Sequence, residues 1–347
     1  MITNRAIGTG ILPVLVLICM VLACAWPTPT PAQVKPIELA FATHGTPGGT
    51  FTRYFTEVWV KEVEKRTQGR VKITVYWKEA LGKGVDHYDM VRKGVCDVAW
   101  GIPGWTPGRF PMTEVMELPF LFNSPISGSR AAWEIYETYL KPEYTGVRVL
   151  GVFVSDLNHL WSAKKPIHTL EDLNGTKVRV SGLVPTKTIG LIGGTPVFLA
   201  WPDVYEALQR GTVEGAVAGA SPMIAFRIYE VGKYGTVLNF NCPMNFLVMN
   251  LDTWNKLPQE IQKIPELSGP YVSELGGSAY HKETVRGFED LSRHGVNIYT
   301  LPPAEMERWK KAAVPIYDWW VKNLEAKGLP GKKLLDDAQR LSKKYAQ

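Results

Sequence analysis

Alternating strand-like and helix-like segments limit the folds open to this chain more than any other feature of its sequence. From Ile37 onward, short apolar runs such as Ile37–Ala42 and Val71–Trp77 alternate with segments like Phe51–Val63, whose apolar residues recur at helical spacing. Strands that alternate with helices on this scale predict an α/β fold with mainly parallel sheets. Ligands in such folds bind outside the carboxyl ends of the strands.

Size and charge narrow the classes of protein further. The 347 residues, 45% of them apolar, are too many for one small core and sufficient for two compact domains. The net charge of +6 is spread along the chain without a basic run. We therefore expect a soluble surface and no nucleic-acid partner.

The first 33 residues are expected to be a signal peptide and tether. Arg5 supplies a short positive region, and the apolar stretch Ile11–Val21 is too short to span a membrane. Cleavage near Ala32 would release the protein into the periplasm. The residues Val21-Leu22-Ala23-Cys24 also resemble a lipobox, so a lipoprotein anchored through Cys24 is the alternative.

Two cysteines, Cys96 and Cys242, lie in the expected mature chain. Their separation in sequence says nothing about whether they meet, so a disulfide stays open, although two buried free thiols are favoured. We also find no run of apolar residues after the signal that is long enough to cross a bilayer.

A search for catalytic motifs finds none. The sequence has no P-loop, no G-x-S-x-G, no H-E-x-x-H and no dinucleotide fingerprint, and its six histidines lack metal-ligand spacing. We therefore expect neither an enzyme nor a cofactor or metal. The Gly-rich turn His44–Gly49 precedes a helix, where backbone amides are able to hold an anion, but a plain turn is favoured.

One short strand carries the clearest binding signal. The turn Asn174-Gly175 leads into Lys177-Val178-Arg179-Val180, so the valines can enter a core while both cations face the other side. A solvated strand face is the simplest interpretation. Arginine, however, has the planar fork that matches a carboxylate, and Trp201 opens a helix that can wall a cleft nearby.

The motifs LEDLNGTKVRV and PDVYEALQRGTVEG resemble those of a known family. Together with FATHGTPGGTFTRYF, ELPFLF and TWNKLPQEIQK, they make nearly all of the mature chain similar to the solute-binding subunits of tripartite ATP-independent periplasmic (TRAP) transporters, dicarboxylate-binding type. The resemblance implies a two-domain periplasmic solute-binding protein fold with an interlobe cleft. It also implies that Arg179 grips the ligand carboxylate there, whereas Lys177 is peripheral.

Domain boundaries follow from the resemblance, because the family builds each domain from discontinuous segments. We expect residues 34–156 plus 245–282 to form lobe I and residues 157–244 plus 283–347 to form lobe II. The hinge should lie near residues 155–158 and 243–246. A long helix that the family has near Gln259–His294 should be broken here by prolines and by Gly276-Gly277.

Some residues depart from the family pattern, and these departures indicate which kind of acid the site would bind. His159 stands where many members have a second arginine, which puts the second carboxylate contact in question. The segment Ala216–Ser221 lacks the amides and acids of members that bind highly polar acids. We therefore expect an organic monocarboxylate with an apolar or aromatic body. The residues expected to contact it are Arg179, Trp201, His159, Trp105, His44 and Trp161.

Alternatives remain at several of these positions. Core packing is the favoured interpretation of Trp161 and of Trp100 when each is taken alone, and a satisfied turn histidine explains His44 equally well. The resemblance implies TRAP membrane subunits as partners, and a monomer is favoured. Two functions compete with this one. The first is a binding component of another transporter or sensor, and the second is a periplasmic enzyme on the same scaffold.

Overall fold

Two β-sheets organise the part of the chain that the computed structural model describes, residues 35–199 and 201–346. The strands in chain order are β1 (Ile37–Ala42), β2 (Val71–Tyr76), β3 (Val98–Gly101), β4 (Val147–Val154), β5 (His159–Ser162), β6 (Lys177–Val180), β7 (Thr195–Phe198), β8 (Gly215–Ala218), β9 (Tyr234–Val237), β10 (Met244–Asn250) and β11 (Asn297–Thr300). The first sheet has the order β2–β1–β3–β10–β4, and the second has the order β11–β9–β5–β8–β6–β7.

Helices pack around both sheets, as the alternation of the sequence predicts. The α-helices in chain order are α1 (Thr50–Tyr54), α2 (Thr56–Arg66), α3 (His87–Arg92), α4 (Pro125–Ile135), α5 (Leu170–Leu173), α6 (Leu183–Leu191), α7 (Trp201–Gln209), α8 (Ala220–Ala225), α9 (Leu251–Lys256), α10 (Gln259–Gln262), α11 (Gly269–Arg293), α12 (Pro303–Ala313), α13 (Pro315–Glu325) and α14 (Gly331–Tyr345). The α/β class is thereby confirmed.

The sheets are mixed rather than mainly parallel. Every antiparallel pairing involves β5 or β10, and each of these is the first strand after the chain passes from one sheet to the other. The connecting segments 155–158 and 238–243, which lead into these two strands, contain no helix.

The two connecting segments lie side by side. The Ser155 amide donates to the Pro243 carbonyl at 2.9 Å, and the Asn158 amide donates to the Asn241 carbonyl at 2.7 Å. The Phe240 amide in turn donates to the Asn158 carbonyl at 2.7 Å. These hydrogen bonds join the two segments around which the hinge is expected. The hinge itself and the lobe boundaries stay predictions.

Helix α11 corrects one expectation. It runs unbroken for 25 residues through Gly276-Gly277, so the predicted break at the glycines is wrong. The break at the prolines is confirmed, since α10 ends at Gln262 and α11 begins only at Gly269. A Cβ on Gly276 would lie 2.3 Å from the Phe153 ring, and one on Gly277 would lie 2.7 Å from Ser129 Oγ. The glycines therefore allow close packing on β4 and α4, and Pro270 occupies the first helical turn, where no backbone donor is needed.

Two strands, β7 and β11, are not predicted by the hydrophobic pattern of the sequence. Strand β7 contains Pro196, and β11 follows the long helix α11. Both are edge strands, where proline is tolerated and side chains are only partly buried. The hydrophobic pattern of a core strand is consequently absent from both.

The last helix, α14, packs beside the first sheet. Helix α14 contacts α4 and α13, and Leu334, Ala338 and Leu341 belong to the same buried cluster as Val152 of β4.

Cys96 and Cys242 are buried and free, as favoured from the sequence, and burial raises the pKa of the Cys96 thiol to about 12.

Two expectations concern the membrane. Among the described residues, none of the helices has the length and apolar character needed to cross a bilayer. The predicted signal peptide and tether, residues 1–33 with Cys24, lie outside the described residues.

Candidate ligand-binding site

Strand β6 separates its valines from its arginine. Val178 and Val180 are fully buried in a cluster with Leu160 and Trp309 on one face of the second sheet. Arg179 points to the opposite face and is only 1% exposed, whereas Lys177 at the start of the strand is exposed. The two cations therefore have different environments, and only Arg179 is inside the protein.

The Arg179 guanidinium has few partners in the protein. Its Nε donates to the Leu199 carbonyl at 3.0 Å and its Nη1 to the Val217 carbonyl at 3.3 Å, which leaves three of its five N–H groups. None of the carboxylates in the described residues pairs with it, and burial alone lowers the pKa of Arg179 to about 9. A buried cation without a counterion is strongly unfavourable, so this geometry favours an incoming anion.

Trp201 covers the guanidinium. The Arg179 Cζ lies 3.8 Å from the centroid of the Trp201 ring, a cation–π contact that fixes the plane of the fork. The half-buried Trp201 ring also stacks on Phe226, with centroids 5.5 Å apart and planes 12° apart. Because Trp201 begins α7, the helix start sets the position of the ring.

Strand register places three predicted residues on one sheet face. Ala216 of β8 lies opposite both Trp161 of β5 and Arg179 of β6, and Ala218 lies opposite His159. Side chains two residues apart on a strand share a face, so Trp161, Arg179 and His159 do so. The residues of β8 opposite them, Ala216 and Ala218, have small side chains.

His159 is 1% exposed and is held by backbone groups. Its Nδ1 accepts from the Leu238 and Asn239 amides, each at 3.3 Å, while Nε2 has no partner among the described residues. Burial lowers the pKa of His159 to about 3. Trp161 is fully buried, and its Nε1 donates to the Ala218 carbonyl at 2.8 Å. Trp161 thus packs in the core and supports this face.

The other two predicted residues lie beside the first sheet. The His44 ring is 4.7 Å from the Trp105 ring and 4.0 Å from the Trp100 ring, centroid to centroid. Burial, followed by the nearby His87, lowers the pKa of His44 to about 3, and its Nδ1 has no partner among the described residues. The ring is therefore neutral and can serve as a hydrogen-bonding partner inside an aromatic wall.

The six predicted residues thus form two groups, one beside each sheet. Sequence reasoning missed Phe51, which stacks between Trp100 and Tyr280, and Phe226 and Phe288, which face Trp201 and His159. Each is an aromatic residue in a helix or at its end. Their periodicity does not distinguish them from core residues, so no signal in the sequence would have selected them.

The loops after β3 of the first sheet contact the start of α6, which follows β6 of the second sheet. A small cavity is lined by Gly104, Thr113, Glu114 and Glu117 from the loops after β3 and by Leu183 from the start of α6. A Cβ on Gly182, three residues after Arg179, would lie 2.4 Å from Glu117 Oε2. Burial, with Glu114 nearby, raises the pKa of Glu117 to about 8. In the described residues, no group of three His, Cys, Asp or Glu side chains is arranged to hold a metal ion.

Residues 42–323 match the model of the bacterial extracellular solute-binding proteins, family 7. The chain belongs to this family. The match covers both sheets apart from most of β1, and it includes all six predicted site residues. It confirms the resemblance to TRAP solute-binding proteins that the motifs indicated, and this family is one of transport rather than of catalysis.

Solved structures of TRAP solute-binding proteins have the same fold. One from Rhodoferax ferrireducens, in complex with copurified benzoate, is 29% identical with a TM-score of 0.85, covering 89% of this chain and 98% of that chain. A marine metagenome protein specific for aromatic acid ligands, in complex with metahydroxyphenylacetate, is 28% identical with a TM-score of 0.86, covering 90% and 100%. The C4-dicarboxylate-binding periplasmic protein of Rhodobacter capsulatus is 24% identical, over 87% of this chain and 92% of that protein.

Proposed function

We propose that this family 7 protein captures an organic monocarboxylate with an apolar or aromatic body. The observation that carries the proposal is Arg179, a buried guanidinium that has free N–H groups and, within residues 35–199 and 201–346, no acidic partner. A carboxylate supplies both the missing charge and a planar pair of acceptors, which the arginine fork binds through two parallel hydrogen bonds.

The aromatic body is supported by two sets of rings. Trp201 and Phe226 lie beside the arginine, and His44, Trp100 and Trp105 form a wall beside the first sheet. Apolar walls with a few fixed polar groups are the usual design of small-molecule sites. Two of the similar proteins hold benzoate and metahydroxyphenylacetate, which are aromatic monocarboxylates.

Transport is the role proposed for this capture. Lobes that move about residues 155–158 and 243–246 would close on the acid and exclude water, which strengthens the arginine–carboxylate pair. The closed monomer would then deliver the acid from the periplasm to TRAP membrane subunits. An N-terminal signal would export the chain, with anchoring through Cys24 as the alternative.

Calorimetry with benzoate and succinate tests this function. Wild-type protein should bind benzoate more tightly than succinate, and Arg179→Gln should weaken benzoate binding by at least about 100-fold, since breaking a buried charge pair removes roughly 3–5 kcal/mol. Lys177→Gln is the matched control, because Lys177 is an exposed cation on the same strand.

The variant's folding must be checked by thermal melting. Without ligand, Arg179→Gln should melt no lower than wild type, since the substitution removes an uncompensated buried charge. Equal benzoate affinity of Arg179→Gln and Lys177→Gln would overturn the proposed role of Arg179. Tight succinate binding without any response to benzoate would overturn the aromatic monocarboxylate.

A further inference from the structure

The Glu117 carboxyl is held between two glycines, one from a loop of each sheet. Glu117 ends the 3₁₀ helix Thr113–Glu117, which lies between β3 and α4. A Cβ on Gly104, in the loop that directly follows β3, would lie 2.3 Å from Glu117 Oε1, and one on Gly182, between β6 and α6, would lie 2.4 Å from Oε2. Neither position has room for a side chain while the carboxyl is there. The two glycines therefore form a cradle in which one side chain connects the loop after β3 with the start of α6.

A charge on this carboxyl would have no compensating cation among the described residues. Glu117 is 5% exposed, and its Oε2 is buried without a partner there. Glu114 lines the same small cavity, and its Oε2 is also buried and without a partner in the described chain. An ionised carboxylate in this place would be desolvated and next to a second acid, and both conditions are unfavourable. Glu117 therefore fits the cradle when it is protonated.

The pKa values of the two acids agree with this geometry. Burial, followed by Glu114, raises the pKa of Glu117 to about 8, and burial raises the pKa of Glu114 to about 7. Burial, followed by Glu117, also raises the pKa of the Cys242 thiol, so this group is uncharged. Helix α14, which contacts the same 3₁₀ helix, buries only apolar residues. The other titratable groups on the surrounding elements are bonded elsewhere or exposed: Glu143 and Tyr144 contact Thr113, Tyr317 donates to the Pro119 carbonyl, Arg109 pairs with Asp89, and Lys187 and Lys327 are exposed.

We propose that Glu117 is a proton-dependent latch that holds the loop after β3 against the start of α6 when it is protonated and releases it when it is ionised. The proposal rests on the proposed function and deepens it, because lobes that close on the acid would bring the two loops together. Gly182 lies only three residues after Arg179, so the latch engages next to the strand that would hold the carboxylate. Capture of the acid would then take up a proton, and a rise in pH would favour its release.

Benzoate affinity should fall as the pH rises from 7 to 8. In the open protein Glu117 would be solvated, with its pKa near the ordinary 4.5, against about 8 in the closed cradle. Closure therefore binds a proton between these pH values, which weakens binding by up to about tenfold per pH unit. Benzoate stays ionised throughout. His44 and His159, with pKa values of about 3, would release protons on closure instead, but mainly below their ordinary pKa of 6.5.

Calorimetry in buffers of different ionisation enthalpy counts the protons taken up with benzoate. Wild type should bind benzoate about three- to tenfold more weakly at pH 8 than at pH 7, and at pH 7.5 it should take up about 0.5–1 proton more than Glu117→Gln. The Gln variant keeps the shape of the side chain and cannot ionise, so its affinity should change little between these pH values. Glu307→Gln, which removes an exposed carboxylate, is the matched control and should behave like wild type.

The outcomes separate this inference from the proposed function. If wild type binds benzoate but takes up no more protons than Glu117→Gln, the latch is overturned while the capture function holds. If wild type binds no carboxylate, the proposed function fails, and small-angle X-ray scattering of the unliganded protein decides on the latch. A radius of gyration that rises from pH 6 to pH 9 in wild type but not in Glu117→Gln would support it. The same behaviour in both proteins would contradict it.

Discussion

The Arg179 guanidinium carbon lies 3.8 Å from the centroid of the Trp201 ring, so the one buried cation of strand β6 is held flat against the first residue of helix α7. The contact lowers the entropy that the arginine would lose on binding an anion, because the plane of its fork is already set. Binding and packing are thereby coupled in one pair of side chains.

Replacing Trp201 should weaken carboxylate binding without removing the charge. Trp201→Ala should reduce benzoate affinity by about 3- to 30-fold, the range expected for a partly desolvated cation–π contact. Trp201→Phe keeps a flat ring over the guanidinium and should lose less. Calorimetry measures both, and an Ala variant that binds like the Phe variant would argue against the role of the stack.

Trp105 should affect the body of the ligand rather than its carboxylate. It lies in the loop after β3 against His44, and Trp105→Ala should therefore weaken benzoate binding several-fold while weakening acetate binding much less. Trp254→Ala is the control, since that ring packs on Arg148 away from the cluster. Equal losses for benzoate and acetate would place Trp105 outside the ligand contact.

Much of this architecture could be predicted from local sequence. The sequence predicts strand β1 with the residue bounds that the structure has, and it predicts the start of helix α7 at Trp201, because the hydrophobic periodicity of both is strong. The burial of Val178 and Val180 followed from simple alternation. These features depend on residues that are neighbours in sequence, and the sequence therefore contains them.

Features that depend on distant residues could not be predicted in this way. The unbroken course of α11 requires Phe153 and Ser129 to pack against its two glycines, and the sequence does not show that contact. The edge strand β7 contains Pro196, which removes the usual sequence signal of a strand. The tautomer of His159 depends on the amides of residues 79 and 80 positions away. Nor does the sequence show that Arg179 has no acidic partner in the described part of the fold.

Gly182 should not tolerate a side chain. Its φ of 91° and ψ of 158° belong to a region open almost only to glycine, and a Cβ would meet Glu117 Oε2 at 2.4 Å. Gly175 also has a positive φ, of 70°, but has free space around it. Gly175→Ala should lower the free energy of unfolding by about 1–2 kcal/mol, and Gly182→Ala by about 1–3 kcal/mol more.

Chemical denaturation measures both glycine variants. Adding Glu117→Ala to Gly182→Ala should recover part of the lost stability, because the group that clashes is then absent. If Gly182→Ala is no less stable than Gly175→Ala, the close approach of the loops after β3 and β6 is contradicted.

Glu117 should make the protein less stable as the pH rises. Its pKa is about 8 in the folded protein against 4.5 in the unfolded chain, so between these pH values only the unfolded chain releases the proton. The contribution is complete below about pH 4.5 and is lost as the pH passes 8. Glu283, whose folded pKa is also raised to about 8, acts in the same direction.

Melting temperatures at pH 5 and pH 8 test this dependence. Glu117→Gln should reduce the fall between the two pH values by a few degrees, since the amide does not ionise. The exposed Glu307→Gln should leave the fall unchanged. An equal fall in wild type and Glu117→Gln would contradict the buried, protonated carboxyl.

A crystal structure of the protein with a bound aromatic monocarboxylate such as benzoate tests the central claim most directly. The account predicts carboxylate oxygens within hydrogen-bond distance of the Arg179 Nη atoms, with Trp201 still covering the guanidinium. A carboxylate held by other residues, with Arg179 bonded only to the Leu199 and Val217 carbonyls, would contradict it.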